Sequence, residues 1–309
     1  MIQIIGAGAI GCLWLAKIQL SGSKCHLVSR MQSCLPHLTF TDLNGQIHNL
    51  TISHGNTLLH LNPNHKASTL LVCVKAQHVL SALLMQKQYI NPQQIIILMH
   101  NGYGSAEEVI KHFPNNTIIC ATTANASLLN SPLNITQTGA GYSYLGMFKT
   151  GKDKCNPPDA ITPLQRALPD TEWSDDIIQK CWLKLIINAA INPLTAIHQI
   201  KNGQLNEHQF TMLTDKIITE AFTVALKEGF DFKLADLKNT VQKVINATAE
   251  NYSSMNRDIF YQRETEIEFI NGYLIKKARQ YRIEVPLINS LYAQIKELES
   301  RLPTPVNTL

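Results

Sequence analysis

The chain has 309 residues, of which 45% are hydrophobic and 16% charged, and its formal net charge is +4. This length is typical of two domains, and the composition supports a sizeable buried core. Lys and Arg form no run of the kind that binds nucleic acid, and no segment reaches the ~20 apolar residues of a membrane span. We therefore do not expect nucleic acid or membrane as partners, but the composition does not exclude binding of a small anionic ligand.

The seven cysteines are an odd number and include no CxxC pair. This pattern argues against a disulfide framework and against a zinc knuckle. We therefore expect reduced thiols, no metal site and a cytoplasmic location.

The first half of the chain alternates short apolar runs with helical patterns. Strands are predicted at Ile2–Ile5, Lys24–Ser29, Thr69–Val74, Ile95–Met99 and Thr117–Ala121, and helices near Ile10–Leu20, Ala76–Met85 and Ala106–His112. Asn44-Gly45 between two alternating runs predicts a hairpin, and further strands are expected around Leu133–Gln137 and Tyr142–Met147. Continuous apolar strands separated by helices predict a parallel sheet covered on both faces.

The second half of the chain contains only helical patterns, from Ser174 to about Arg301. Ser174, followed by Asp175 and Asp176, predicts a helix start, because a hydroxyl cap and carboxylates suit the positive end of the helix dipole. We therefore predict an α/β domain over residues 1–172 and an all-helical domain over residues 173–309.

The segment IIGAGAIG, residues 4–11, places Gly6, Gly8 and Gly11 in a GxGxxG pattern between a predicted strand and a predicted helix. In a dinucleotide site these glycines permit a tight turn, backbone approach to the pyrophosphate and close helix–strand packing. A glycine-rich turn without a ligand is the alternative. The pattern favours a Rossmann-type cofactor site formed by Gly6, Ala7, Gly8, Ala9, Ile10 and Gly11.

The end of the second strand indicates which dinucleotide is bound. An NAD site usually carries an Asp or Glu there, about 20 residues after the glycines. This strand ends in Ser29-Arg30 without a carboxylate, and a guanidinium can bind a 2′-phosphate through two hydrogen bonds. NADP is therefore predicted, and an ordinary surface arginine is the alternative.

Polar side chains follow several predicted parallel strands directly. Lys75, Asn101 and Thr122 join Gly6 and Arg30 at carboxyl ends of strands, the edge where ligands bind in open α/β sheets. A hydrated loop side chain is the simpler interpretation of any one of them, but together they favour a shared crevice.

An apolar helix is predicted over CWLKLIINAAINPLTAI, residues 181–197. Its polar residues Lys184, Asn188 and Asn192 are spaced by four and therefore lie on one face. This face could be exposed, or it could form a core network near a helix end, since Asn192 precedes Pro193. The third interpretation is that it lines a binding site.

The sequence resembles the ketopantoate reductase (2-dehydropantoate 2-reductase) family, the NADPH enzymes of pantothenate biosynthesis. The resemblance runs through most of the chain and is most specific in the second half. It rests on GAGAIG, VKAQ at 74–77, HNGYG at 100–104, WLKLIINAAINPLTAI at 182–197, KNGQL at 201–205, ATAENYSSM at 247–255 and TEIEFINGYL at 265–274. The family pairs a Rossmann domain with a helical domain and binds its substrate in the cleft between them.

The resemblance implies roles for individual residues. Lys184 corresponds to the catalytic lysine, and Glu266 to the acid near the nicotinamide end. Lys75 and Asn101 match cofactor-side residues, and Ala126 matches a backbone contact with the cofactor. The residues implied in substrate binding are Lys184, Asn188, Asn192, Asn202, Asn251 and Ser254.

The expected chemistry is reduction of a 2-keto acid, in which Lys184 polarises the carbonyl and donates a proton. A helical period of 3.6 places Glu266 on one face with Ile259, Ile270 and Tyr273, as either a site carboxylate or half of a structural salt bridge. Reduction of another small 2-keto acid or imine, and a non-catalytic NADP-sensing protein, are the alternatives. We expect a monomer or a homodimer.

Overall fold

The computed structural model describes residues 1–30, 37–59, 69–148 and 157–302. The chain divides into two compact units, one of Met1–His100 and Ser105–Cys181 and the other of Asn101–Gly104 and Trp182–Leu309. It therefore passes between the units after His100, after Gly104 and after Cys181. The last passage is C-terminal to the predicted boundary at residue 172.

The first unit is an α/β unit. Its strands are β1 (Ile2–Ile5), β2 (Cys25–Val28), β3 (His37–Thr41), β4 (Ile47–Thr51), β5 (His54–Gly55), β6 (Thr69–Val72), β7 (Ile95–Met99), β8 (Ile118–Thr123), β9 (Ala126–Ser131), β10 (Asn134–Gly139), β11 (Ser143–Met147) and β12 (Thr171–Trp173). Its helices are α1 (Ala9–Leu20), α2 (Val79–Met85), α3 (Ser105–His112) and α4 (Thr162–Ala167).

The main sheet has eight strands in the order β12-β11-β8-β7-β6-β1-β2-β5. All neighbours are parallel except β11 and β8, which confirms the predicted mostly parallel α/β fold. In this sheet β1 has β2 on one side and β6 on the other, so the direction in which successive strands are added reverses at β1. Ligands bind at such a switch point in open α/β sheets, and the glycine segment follows β1.

The strands read as continuous apolar runs because both of their faces are covered. Alternate residues point to opposite sides, so Ile4 and Leu27 join the core that includes Leu13 of α1. Their neighbours Ile5 and Val28 join the core on the other side, with residues of α2 and α3.

A second sheet of four strands has the order β4-β3-β10-β9. β3 and β4 form the hairpin predicted at Asn44-Gly45, with Thr41 opposite Ile47 and Gly45 at a φ of +79°. β9 pairs with β10 in a second antiparallel connection that the sequence did not predict.

The second unit is helical over its described residues, as predicted. Its helices are the C-terminal part of α5 (Ile177–His198), α6 (His208–Lys227), α7 (Leu234–Ala247), α8 (Ser254–Phe260), α9 (Asn271–Tyr281) and α10 (Pro286–Ser300). Ser174 does not begin α5, because its N–H donates to the Leu145 carbonyl at 2.8 Å and the helix starts at Ile177. Among the described helices, none is long and apolar enough to cross a bilayer.

Candidate functional site

The glycine segment forms a tight strand-to-helix turn that larger residues would block. Gly6 has a φ of +112°, and a Cβ there would lie 2.7 Å from the Cys73 carbonyl oxygen. A Cβ on Gly11 would lie 2.0 Å from the Gly6 carbonyl oxygen, whereas one on Gly8 would meet no atom within 4 Å. Gly6 and Gly11 therefore serve packing, and the backbone at Gly8 faces open space. No side chain caps α1, so the N–H groups of its first turn are available to an anion.

A cavity of about 1280 Å³ opens beside this turn, within the first unit. Gly6, Ala7, Gly8, Arg30 and Lys75 line it, so the structure brings these predicted cofactor residues together. The predicted residues Ala9, Ile10 and Gly11 begin α1 next to it but are not part of its lining. The glycine turn, the uncapped helix and the two cations fit the phosphates of a dinucleotide.

This cavity also contains a hydrogen-bonded pair of side chains that the sequence did not predict. His54 Nε2 lies 2.9 Å from Ser29 Oγ, beside Arg30, and all three side chains line the cavity. Among the described residues of the lining, none is Asp or Glu. Ser29 directly follows β2, where an NAD site usually carries an acid, so the sequence alone showed this difference. His54, in contrast, comes close to Ser29 only because β5 pairs with β2.

Asn101 belongs to the second unit, where it contacts Glu266. Asn101 Nδ2 donates to Glu266 Oε2 at 3.0 Å. Glu266 is 8% exposed. Its spacing predicted a helix face shared with Ile259, and this prediction was wrong. The helix α8 already ends at Phe260, so Glu266 lies in the connection between α8 and α9, directly before a 3₁₀ turn. The amide and the carboxylate form one polar pair.

A short aromatic cluster holds the segment that carries Asn101. The Tyr103 N–H donates to the Phe269 carbonyl at 2.8 Å. The Tyr103 ring lies 5.0 Å from that of Tyr273 and 5.9 Å from that of Trp182, between ring centres. Tyr103 is thus an anchor for the segment 101–104, and its role was not predicted from the sequence.

Two other predicted cofactor-edge residues lie elsewhere in the first unit. Thr122 does not follow its strand, as predicted, but lies inside β8 opposite Tyr144 and is 8% exposed. Thr122 is therefore a residue of the sheet and not of the loop that follows it. Ala126 is the first residue of β9 and does not line the cavity.

The helix α5 carries Lys184, Asn188 and Asn192 on successive turns. Lys184 and Asn188 are half-buried, and Asn192 is 6% exposed. The face is therefore not a solvated one. Its neighbours Leu185 and Ala189 are buried in the core of the unit.

Pro193 does not end this helix, contrary to the expectation that a helix stops before proline. Proline removes the hydrogen bond to residue 189, but nearby side chains stabilise the following turn. Thr195 Oγ1 lies 2.9 Å from the Ile191 carbonyl oxygen, which accepts from it, and 2.7 Å from Ser253 Oγ. Asn256 Nδ2 donates to the Thr195 carbonyl at 2.7 Å. These contacts join α5 to the start of α8.

The remaining predicted substrate residues lie close to that junction. The Asn202 N–H donates to the Asn251 carbonyl at 2.9 Å, and Asn202 Nδ2 donates to Thr248 Oγ1 at 2.9 Å. Asn202 Oδ1 is buried and accepts no hydrogen bond from the described residues. Of the two adjacent serines, Ser253 caps α8 and is buried, whereas Ser254 is exposed. Asn202 and Asn251 are therefore joined by a hydrogen bond in the helical unit, and Ser254 follows at the first turn of α8.

Four thiols of the first unit, those of Cys12, Cys25, Cys73 and Cys120, are buried, whereas Cys181 is partly exposed. Burial raises the pKa of Cys12 to about 12 and that of Cys25 to about 11. A raised pKa keeps a thiol protonated and poorly nucleophilic at neutral pH. Cys34 and Cys155 lie outside the described residues.

Two family models match the chain. Residues 2–150 match the model described as ketopantoate reductase PanE/ApbA, and residues 176–299 match ketopantoate reductase PanE/ApbA C terminal. The 2-dehydropantoate 2-reductase of Vibrio cholerae serotype O1 is 37% identical over 303 residues, covering 96% of this chain and 97% of that protein. The chain belongs to the ketopantoate reductase family. It is an oxidoreductase of the 2-dehydropantoate 2-reductase type.

Solved structures agree with the family fold. The probable 2-dehydropantoate 2-reductase of Bacillus subtilis has a TM-score of 0.79 at 25% identity, covering 96% of this chain and 99% of that chain. The D-mandelate dehydrogenase solved with NADH and anilino(oxo)acetate has a TM-score of 0.85 at 21% identity, covering 98% and 99%. At that identity the second likeness concerns the fold alone. The family fold thus also occurs in a protein named for a different 2-hydroxy acid.

Proposed function

We propose that this protein reduces 2-dehydropantoate to (R)-pantoate with NADPH, as a step of pantothenate biosynthesis. The observation that carries the proposal is the 37% identity to a 2-dehydropantoate 2-reductase over 96% of the chain. The cofactor-sized cavity of the first unit and the polar helix face of the second unit support it. The cytoplasmic location and the monomeric or homodimeric state stay predictions.

The proposed cofactor is NADPH, and the charges of the cavity support this choice. When bound, NADPH supplies the hydride that adds to the C2 carbonyl carbon of the substrate. The N–H groups of Ala7 and Gly8, with those of Ala9, Ile10 and Gly11 in the first turn of α1, would hold the pyrophosphate, while Gly6, whose own N–H donates to the Val28 carbonyl at 3.0 Å, forms the tight turn. Arg30 binds the 2′-phosphate, since the described lining contains no carboxylate to repel it. Lys75 adds a second cation beside the phosphates, and Ala126 stays proposed as a backbone contact.

Lys184 is the proposed general acid. Its ammonium polarises the C2 carbonyl oxygen and then transfers a proton to the developing alkoxide. The group must be protonated at the start of this step, and a neighbouring carboxylate favours that form. Because Lys184 is only half-buried on α5, its desolvation penalty is smaller than that of a core lysine.

Amide groups orient the substrate in this proposal. Asn188 and Asn192 lie one and two turns beyond Lys184 on the same helix face, where they can bind the carboxylate and hydroxyl groups of the substrate. Asn202 offers a buried acceptor, Oδ1, without a donor among the described residues. Such an acceptor costs about 1–3 kcal/mol, and a substrate hydroxyl would supply its donor. Asn251 and Ser254 complete the set.

Glu266 is the proposed carboxylate of the nicotinamide end of the site. Its Oε2 already accepts from Asn101, and an acid that is 8% exposed needs such donors to remain charged. It serves both to bind the cofactor and to favour protonation of the lysine.

A panel of small 2-keto acids and imines, each with NADPH and with NADH, tests the proposal through absorbance of the reduced nicotinamide. We expect fastest turnover with 2-dehydropantoate and NADPH. Faster turnover of another keto acid or imine would assign the second substrate class. Cofactor binding without consumption of NADPH by any member would instead favour a sensing protein.

A further inference from the structure

A carboxylate on the last helix holds the residue that precedes Glu266. The Thr265 N–H donates to Glu299 Oε1 at 2.8 Å, and the Thr265 hydroxyl donates to the same oxygen at 2.7 Å. The other oxygen, Glu299 Oε2, accepts from Lys296 Nζ at 2.7 Å. Thr265 is 3% exposed and the Glu299 side chain 8%, so their hydrogen bonds are shielded from water, whereas the Lys296 side chain is 44% exposed. All members of this clamp lie in the second unit.

The clamp fixes the backbone on both sides of Glu266. Thr265 Oγ1 also accepts from the Ile267 N–H at 3.2 Å. The Glu266 carbonyl accepts from the Phe269 and Ile270 N–H groups at 3.0 and 3.1 Å. With the residues before and after it held, the backbone fixes the position from which the Glu266 side chain extends toward Asn101.

The carboxylate of Glu299 is held at an energetic cost. Glu299 lies in the last turn of α10, where the helix dipole disfavours negative charge, and its side chain is 8% exposed. Lys296 offsets part of this cost, and the pKa of Lys296 is raised mainly by its hydrogen bond to Glu299. A neutral acceptor would satisfy Thr265 without burying a charge, although hydrogen bonds to a charged acceptor are stronger.

We propose that Glu299 is a positioning residue for Glu266 and acts on cofactor binding and turnover through Thr265. The inference rests on the proposed role of Glu266 at the nicotinamide end of the site. Displacing a site group by about 1 Å can cost about 100-fold in rate, so loosening the clamp has a measurable effect although Glu299 itself touches no reactant.

The test is a double-mutant cycle on the full-length protein, with NADPH dissociation constant and kcat as readouts and the thermal midpoint measured in parallel. Glu299→Leu should weaken NADPH binding or lower kcat about 10- to 100-fold. In a Glu266→Gln background the same change should have less than about a threefold effect, because interacting residues are not additive. Glu299→Gln should stay within about threefold of wild type, since both Thr265 donors use one oxygen.

Glu220 provides a matched control in the same unit. Its carboxylate accepts from the N–H groups of Leu287 and Ile288 at 3.0 and 2.9 Å, which holds the start of α10. Glu220→Leu should lower the thermal midpoint but leave the NADPH dissociation constant and kcat of the folded protein unchanged. If Glu299→Leu does not fold, Thr265→Val replaces it, with Thr265→Ser as the variant expected to retain function.

The outcomes separate the inference from the function on which it rests. Equal effects of Glu299→Leu in the wild-type and Glu266→Gln backgrounds, or equal functional effects of Glu299→Leu and Glu220→Leu, would overturn the positioning role. A Glu266→Gln variant that binds NADPH and turns over like wild type would overturn it as well. Failure of wild type to reduce 2-dehydropantoate contradicts the proposed function alone, because the cycle is still readable in NADPH binding.

Discussion

Asn101 Nδ2 donates to Glu266 Oε2 at 3.0 Å, although 165 positions separate the two residues in the sequence. A hydrogen bond to a charged group contributes about 1.5–3 kcal/mol. We therefore expect Asn101→Ala to lower kcat/KM roughly 10- to 100-fold. Asn101→Asp should be worse at neutral pH, because it sets two carboxylates side by side, and should recover partly as the pH falls. Steady-state kinetics from pH 5.5 to 8 measure this; an Asp variant as active as the Ala variant at all pH values would contradict it.

Removal of the proposed general acid should affect chemistry and spare the cofactor. Lys184→Ala should lower kcat by roughly 100- to 10 000-fold, the usual contribution of general acid catalysis. NADPH affinity, measured by fluorescence titration, should stay nearly unchanged. Lys180→Ala on the preceding turn of α5 serves as the control and should keep its turnover. Strong loss of NADPH binding in Lys184→Ala would argue against the assignment.

Arg30 should determine the preference between the two nicotinamide cofactors. Arg30→Ala removes the guanidinium that we propose for the 2′-phosphate, so the NADPH dissociation constant should rise roughly 10- to 100-fold. The NADH dissociation constant should change less than about threefold, since NADH lacks that phosphate. Binding titrations with both cofactors provide the measurement. Equal weakening of both would refute the 2′-phosphate role.

Gly8 and Gly11 should respond differently to the same substitution. Gly11→Ala places a methyl group 2.0 Å from the Gly6 carbonyl, so the free energy of unfolding should fall by roughly 1–3 kcal/mol or more. Gly8→Ala meets no atom within 4 Å and should cost at most about 1 kcal/mol as a helix cap. Its effect should be on NADPH affinity, because the methyl group occupies the approach of the pyrophosphate. Thermal unfolding and NADPH titration of both variants distinguish the two roles.

The stability of the first unit should depend on pH through His26. Burial lowers the pKa of His26 below its usual 6.5, with the charge of His54 adding to the shift and a hydrogen bond to the Thr57 carbonyl opposing it. The unfolded chain then binds a proton near pH 6.5 that the folded chain does not, so stability is complete above that pH and falls below it. The slope contributed by one histidine is at most about 1.4 kcal/mol per pH unit.

The measurement is the thermal midpoint between pH 7.5 and 5.5. His26→Gln should show a weaker decline than wild type, and His112→Gln, at an exposed position, should decline like wild type. Identical declines in all three proteins would contradict the role of His26.

The parts of the fold that the sequence predicted are those whose signal is local. Uninterrupted apolar strands such as Ile95–Met99 indicate a sheet buried on both faces, and the structure confirms it. β9 and β12 were not predicted, since ASLLNS and TEW carry no strand signal and become strands only through their partners β10 and β11.

Residue spacing alone predicted only part of the candidate site. The face of Lys184, Asn188 and Asn192 follows from helical periodicity alone. The helix passes Pro193 because Thr195, Ser253 and Asn256 stabilise the next turn, and nothing in the local sequence reports those distant partners. The helical phase predicted for Glu266 was wrong, because the chain leaves the helix at Phe260 and Gln262 adopts a φ of +54°. Glu299 gave no sequence signal at all.

The excursion of residues 101–104 determines how this polypeptide can be divided. A fragment beginning at Trp182 would lack Tyr103, so the rings of Trp182 and Tyr273 would lose an aromatic contact and the Phe269 carbonyl its donor. Gly102 fits there only without a side chain, since a Cβ would lie 2.6 Å from that carbonyl oxygen. If the chain were expressed as two separate fragments divided before Trp182, the N-terminal fragment would have to insert residues 101–104 into the C-terminal fragment. A permuted gene that opens elsewhere, and leaves residues 100–105 continuous, avoids that obstacle.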